Sequence, residues 1–161
     1  RNRRCDYWGV NNGKYIFWKK GTKLILCYTP DNGVDWLFEK IVEENNKQDC
    51  VKVLAFTNKV PELMSISDLV ISKPGGLTTS ESLASNLPMI IINPIPGQEE
   101  ENAEFLESKG TGIWLRKDNS SREVLKSVID NPEKLSTMKK NTEILAKKHS
   151  TENICKILLK N

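Results

Sequence analysis

The sequence predicts an α/β fold built around a parallel sheet. Two observations carry that expectation: from about residue 23 onward short apolar runs alternate with segments of helical period, and residues 89–92 form an unbroken apolar run of strand length, as expected of a strand buried on both faces.

Taken in order, residues 23–28 read as a strand. Val34, Leu37, Phe38, Ile41 and Val42 then recur at the 3.6-residue period, giving an amphipathic helix that runs out in the polar stretch 43–48. Residues 51–56 form the next strand. Pro61 suits the first turn of a short helix over 61–67, because the N–H it lacks would have no partner there. A strand over 68–72, a helix over 77–85, the strand 89–93 and a helix over 99–108 follow, the last stopped by Gly110. Residues 112–115 give a final short strand, and helices are expected over 121–129, 132–149 and 151–160. Residues 1–22 stand apart: Trp8, Tyr15, Phe17 and Trp18 lie among charges, Gly and Asn without a clear period, and only 15–18 reads as a strand. The chain is therefore divided into a divergent or truncated N-terminal segment, 1–22, and one α/β domain, 23–161.

The 161 residues are enough for a single domain with a real core. The net charge of +3 arises from interspersed Lys and Asp/Glu without a basic block, so no nucleic-acid partner is expected. Cys5, Cys27, Cys50 and Cys155 are far apart, and His149 is the only imidazole, so metal-ligand spacing is absent and reduced thiols are expected. No apolar run approaches the length of a membrane span, and the opening residues lack the apolar stretch of a secretory leader. The expected location is cytoplasmic, with peripheral contact at the inner face of the cell membrane.

Two loops stand out as carriers of chemistry. The first, in residues 68–81, is a strand, a Gly75-Gly76 turn and a helix start, placed where open α/β sheets bind ligands. Free amides at Leu77, Thr78 and Thr79, together with the helix dipole, would favour a diphosphate, whereas the plainer reading is a tight turn using glycine for its dihedrals. Thr78 and Glu81 have the spacing of a capping box; alternatively, the Glu81 carboxylate accepts both hydroxyls of a ribose. The second loop, residues 93–102, has two prolines that fix an extended approach and Gly97 to turn the chain. Gln98, Glu99 and Asn102 then offer amides and a carboxylate suited to hexose hydroxyls, while Glu100 and Glu101 simply complement a helix dipole.

These two loops, in this order and about twenty residues apart, closely resemble the donor-sugar segment of bacterial diacylglycerol glucosyltransferases and monogalactosyldiacylglycerol synthases, and more distantly MurG. The resemblance covers roughly residues 23–160. It implies the C-terminal half of a GT-B fold, a Rossmann-like parallel sheet with helices on both faces. It also implies that Phe56 and Thr57 hold the uracil, that Gly75, Gly76, Thr78 and Thr79 hold the diphosphate, that Glu81 takes the ribose, and that Gln98, Glu99 and Asn102 orient the hexose. No metal or other cofactor is implied, because helix N-termini neutralise the leaving diphosphate. The implied partners are a UDP-hexose donor, a lipid acceptor such as diacylglycerol, and an N-terminal acceptor-binding half that would carry the catalytic base. No catalytic residue is assigned within this chain. Residues 1–22 do not match the strand and glycine-rich turn with which the family's C-terminal half opens, which leaves open a non-catalytic remnant, or a subunit that needs a separate acceptor-binding chain.

Overall fold

In the computed structural model, residues 15–20, 24–27, 35–54 and 57–159 are described. Six short strands, β1 (Tyr15–Trp18), β2 (Leu24–Cys27), β3 (Val51–Leu54), β4 (Leu69–Ser72), β5 (Met89–Ile92) and β6 (Gly112–Leu115), form one sheet in the order β3-β2-β1-β4-β5-β6. Five of them run in the same direction. β1 is antiparallel to both of its neighbours, β2 and β4, so the expected parallel sheet carries a reversed strand at its centre. The reason lies in the connection: five residues join Trp18 to Leu24, whereas a parallel crossover needs a dozen or more. The centre of the sheet thus comes from within the stretch that sequence reasoning set apart as 1–22.

Seven helices are described: α1 (Asp35–Glu44), α2 (Val60–Ile66), α3 (Gly76–Ala84), α4 (Gln98–Ser108), α5 (Ser121–Ile129), α6 (Pro132–Leu145) and α7 (Ser150–Leu158). The last two divide the region expected to be helical over 132–149 and 151–160: Ala146 takes an extended conformation and ends α6 four residues early.

Strand alternation sorts the interior into two layers. On one face Phe17, Val70, Met89 and Ile91 pack with Met64 of α2 and with Ala103 and Leu106 of α4. On the other, Ile16, Leu69, Ile71 and Ile90 pack with Val128 of α5 and with Leu135 and Met138 of α6. Every side chain of β4 is buried, which is why its sequence is an apolar run and not an alternation. Packing is tight where β6 meets β5: a Cβ on Gly112 would lie 3.1 Å from Leu106 Cβ and 3.3 Å from the Met89 carbonyl.

At the amino end of β4 sits a buried carboxylate. Asp68, 8% exposed, accepts hydrogen bonds from the Lys20 amide at 2.9 Å and from the ammonium groups of Lys19 and Lys139. Burial works against its charged form, but those hydrogen bonds and the Lys139 charge outweigh it and hold the carboxyl below its ordinary range. The cluster fastens the end of β1 and the start of β4 to α6.

Candidate functional site

The strand order is that of a doubly wound sheet, in which the direction of winding changes between β1 and β4 and ligands lie beyond the carboxyl ends of the strands. Both loops singled out in the sequence are at that edge, one at the tip of β4 and one at the tip of the adjacent parallel strand β5.

In the first loop α3 begins at Gly76, with Gly75 as its N-cap. Thr79 N–H donates to the Gly75 carbonyl at 2.8 Å, so it is already committed to the helix. The amides left without an intrahelical acceptor are those of Gly76, Leu77 and Thr78, one residue earlier than expected. Thr79 can reach a ligand only through its hydroxyl, which is buried and has no partner among the described residues.

The early start of α3 also removes the capping box. Thr78 occupies the third helical position, not the cap, and no side chain caps this helix. The Thr78 hydroxyl instead faces the Tyr15 hydroxyl at 3.1 Å, and Glu81 is exposed to solvent on α3.

The reason for two consecutive glycines can now be narrowed. Neither Gly75 nor Gly76 has a positive φ, and Gly75 lies at φ −60° and ψ 152°, a conformation open to any residue. Crowding within the protein does not require them either: a Cβ on Gly76 would meet nothing within 4 Å, and one on Gly75 would meet only Glu99 Oε1 at 3.9 Å and Thr78 Oγ1 at 4.0 Å. Turn geometry therefore does not account for the pair. What the glycines do provide is bare backbone beside three unpaired amides, open to whatever approaches the helix end.

Gly97 is a different case. It lies at φ 97° and ψ −125°, where a side chain is strained, and it caps α4. Asn93, at the tip of β5, has φ 39°, a region that asparagine tolerates better than most residues. Glu99 reaches back to accept a hydrogen bond from the Ile95 amide at 2.8 Å, which fixes the loop between them. Asn102 donates to the Pro74 carbonyl at 2.8 Å and so ties α4 to the loop that precedes α3. Gln98 is exposed at the first position of α4. The far end of α4 is anchored too, since Glu107 accepts both Arg116 guanidinium bonds, at 2.7 and 3.1 Å, and the Trp114 amide. The Arg116 hydrogen bond, against a smaller cost of burial, holds the Glu107 carboxyl below its usual range.

The structure thus brings Gly75, Gly76, Thr78, Thr79, Glu81, Gln98, Glu99 and Asn102 onto two contacting helix starts. Thr57 is on the same edge but beyond β3, with β2 and β1 intervening, which places it on the order of 14 Å along the edge at the usual strand spacing. Its hydroxyl accepts from the Lys59 amide at 3.1 Å and shapes the turn into α2. Phe56 lies outside the described residues. Among the described residues no three His, Cys, Asp or Glu side chains gather as a metal-binding group.

One residue at this edge was missed. Because β1 runs backwards, its first residue, Tyr15, falls at the carboxyl end of β4, one step beyond the Ile16–Ile71 pair. Its ring stacks on Phe17 with centroids 5.7 Å apart, and its hydroxyl reaches α3. The signal available in the sequence was the short connection after Trp18, which dictates a hairpin and hence this reversal.

Comparison with known proteins agrees with this architecture. Residues 20–156 match the model of the glycosyltransferase family 28 C-terminal domain. A processive diacylglycerol β-glucosyltransferase from Staphylococcus epidermidis is 44% identical over 111 residues, covering 68% of this chain and 28% of the relative. The enzyme of the same description from Bacillus pumilus is 37% identical over 111 residues, covering 69% of this chain and 29% of the relative. The chain therefore spans less than a third of the length of these curated relatives. Among solved structures, MurG from Acinetobacter baumannii superposes with a TM-score of 0.66 at 19% identity, over 84% of this chain and 40% of that one. HepE from Anabaena, crystallised with UDP, superposes with a TM-score of 0.60 at 19% identity, over 87% of this chain and 41% of that one. The fold is that of the Rossmann-like C-terminal half of GT-B glycosyltransferases, and by sequence the chain belongs to the glycosyltransferase family 28 C-terminal domain family.

Proposed function

We propose that this chain is the donor-binding half of an inverting hexosyltransferase, taking a UDP-hexose and serving a lipid acceptor such as diacylglycerol. The observation that carries the reading is the Gly75-Gly76 pair, whose dihedrals are ordinary and whose surroundings are open, beside the unpaired amides that begin α3. Three such amides and the positive end of the helix dipole favour a diphosphate. The exposed Glu81 carboxylate can accept from both ribose hydroxyls. Across the Asn102–Pro74 hydrogen bond, the start of α4 presents Gln98 and Glu99 for the hexose. In the transferase, an acceptor hydroxyl would attack C1 of the hexose while UDP leaves, the α3 amides stabilising the charge that develops on the diphosphate. The base and the acceptor pocket are assigned to an N-terminal half, and contact with the membrane would be peripheral, through the lipid acceptor. No helix among the described residues is long and apolar enough to cross a membrane.

A second reading, a non-catalytic remnant that binds nucleotide-sugar without turning it over, is favoured by one observation: β1 is reversed, so no strand-to-helix turn leaves its tip at the switch point. Calorimetric titration of the chain with UDP and UDP-hexoses tests what the two readings share. Binding that is lost in Glu81→Ala supports them, and absence of heat at millimolar nucleotide overturns both. Adding an acceptor-binding chain from a related transferase then separates them, since only the half-enzyme would release UDP in the presence of diacylglycerol.

A further inference from the structure

Tyr15 has no counterpart in the chemistry assigned so far. It belongs to the stretch that departs from the family pattern, yet the reversed β1 delivers it to the carboxyl edge of β4, 63 residues in sequence from its hydrogen-bond partner. The partner is Thr78, the third residue of α3 and the last of the three with an unpaired amide. A phenol and an aliphatic hydroxyl 3.1 Å apart share one hydrogen, and either can give it. When Tyr15 donates to Thr78 Oγ1, the Thr78 hydrogen is released to point elsewhere, and donation into that oxygen polarises the Thr78 O–H as a donor in its own right.

The ring is well held for this task. Tyr15 is half-buried, stacks nearly parallel on Phe17, and Phe17 is fully buried in the core of the sheet. The hydroxyl is therefore presented from a rigid strand and not from a loop.

We infer that Tyr15 is a positioning residue for the donor diphosphate: its hydroxyl donates to Thr78 Oγ1, so that the Thr78 hydroxyl donates in turn to a phosphate oxygen at the α3 N-terminus. This rests on the proposed donor site. In a sheet whose central strand is reversed, a side chain of that strand takes up part of the work of orienting α3 toward the anion.

The test is a cycle of UDP affinities, measured calorimetrically on the whole chain, for the native protein, Tyr15→Phe, Thr78→Val and the double variant. Tyr15→Phe keeps the ring and its stacking, and it should weaken UDP binding about 3- to 10-fold, the equivalent of one net hydrogen bond. Thr78→Val should weaken it by at least as much, and adding Tyr15→Phe to Thr78→Val should change nothing further. Thr78→Ser, which restores the hydroxyl, should restore the dependence on Tyr15. Unchanged affinity in Tyr15→Phe, or losses that simply add in the double variant, would overturn the relay while leaving the donor site standing. A native chain that binds no UDP would overturn both.

Discussion

The two halves of the sheet are built differently. From β4 to β6 each strand is followed by a helix that returns to start the next parallel strand, and the helices after β4 and β5 begin at the carboxyl edge. From β1 to β2 there is only a hairpin, and the tip that would bear the first strand-to-helix turn is occupied by the start of a strand running the other way. The unreversed half thus supplies open backbone amides at α3, whereas the reversed strand supplies the Tyr15 side chain at one end and, just past the other, the Lys19 ammonium and the Lys20 amide that hold Asp68. One half presents polar backbone to a ligand, and the reversed strand braces it.

The severest way to break that contrast is to empty the centre of the reversed strand. Phe17→Ala removes a fully buried ring that packs with Met64, Val70 and Met89, and should cost about 4 kcal/mol of stability in urea denaturation. A loss under about 1 kcal/mol would mean that β1 is dispensable to the sheet.

A smaller effect is expected at the other end of the brace. Asp68→Asn should cost about 2 kcal/mol near neutral pH by weakening charge-assisted hydrogen bonds to Lys19 and Lys139. Folding holds the carboxyl below its ordinary value of 3.8, so its contribution is complete well above that value and fades as acid protonates it. The gap in stability between the native chain and the variant should therefore be constant from neutral pH down to about pH 5 and close below about pH 4. Chemical denaturation at several pH values reads this directly, and a gap that widens in acid would refute it.

The smallest change in stability is expected at the tie between the two loops. Asn102→Ala removes the bond to the Pro74 carbonyl and should cost about 1 kcal/mol. If the two helix starts act on one ligand, UDP-hexose affinity should fall more than UDP affinity, because the proposed site assigns the sugar to α4 and the diphosphate to α3. Equal losses would separate Asn102 from hexose orientation.

Much of this was legible in the sequence where the signal was local. α5 matches its expected span, and β4 and β5 could be read from apolar runs that only strands buried on both faces need. The location of the two loops followed from strand-to-helix order. The start of α3 was less accessible, because Thr78 and Glu81 have the spacing of a cap while the backbone places its cap three residues earlier, at Gly75; nothing in the side chains distinguishes the two registers. The role of Tyr15 was hidden for a different reason. Alternation of apolar residues says which face a side chain takes but not which way its strand runs, and the contact with Thr78 exists only once β1 has been placed beside β4.

The hairpin also alters the order in which this sheet can assemble. Parallel neighbours such as β4 and β5 must close a loop that contains a whole helix before their first ladder bond forms, whereas β1 and β2 meet across five residues. Hairpins of this kind zip on the order of microseconds. The middle of the sheet is thereby available early as a two-stranded template, with one free edge for β3 and the other for β4, so that growth can proceed outward in both directions from the reversed strand.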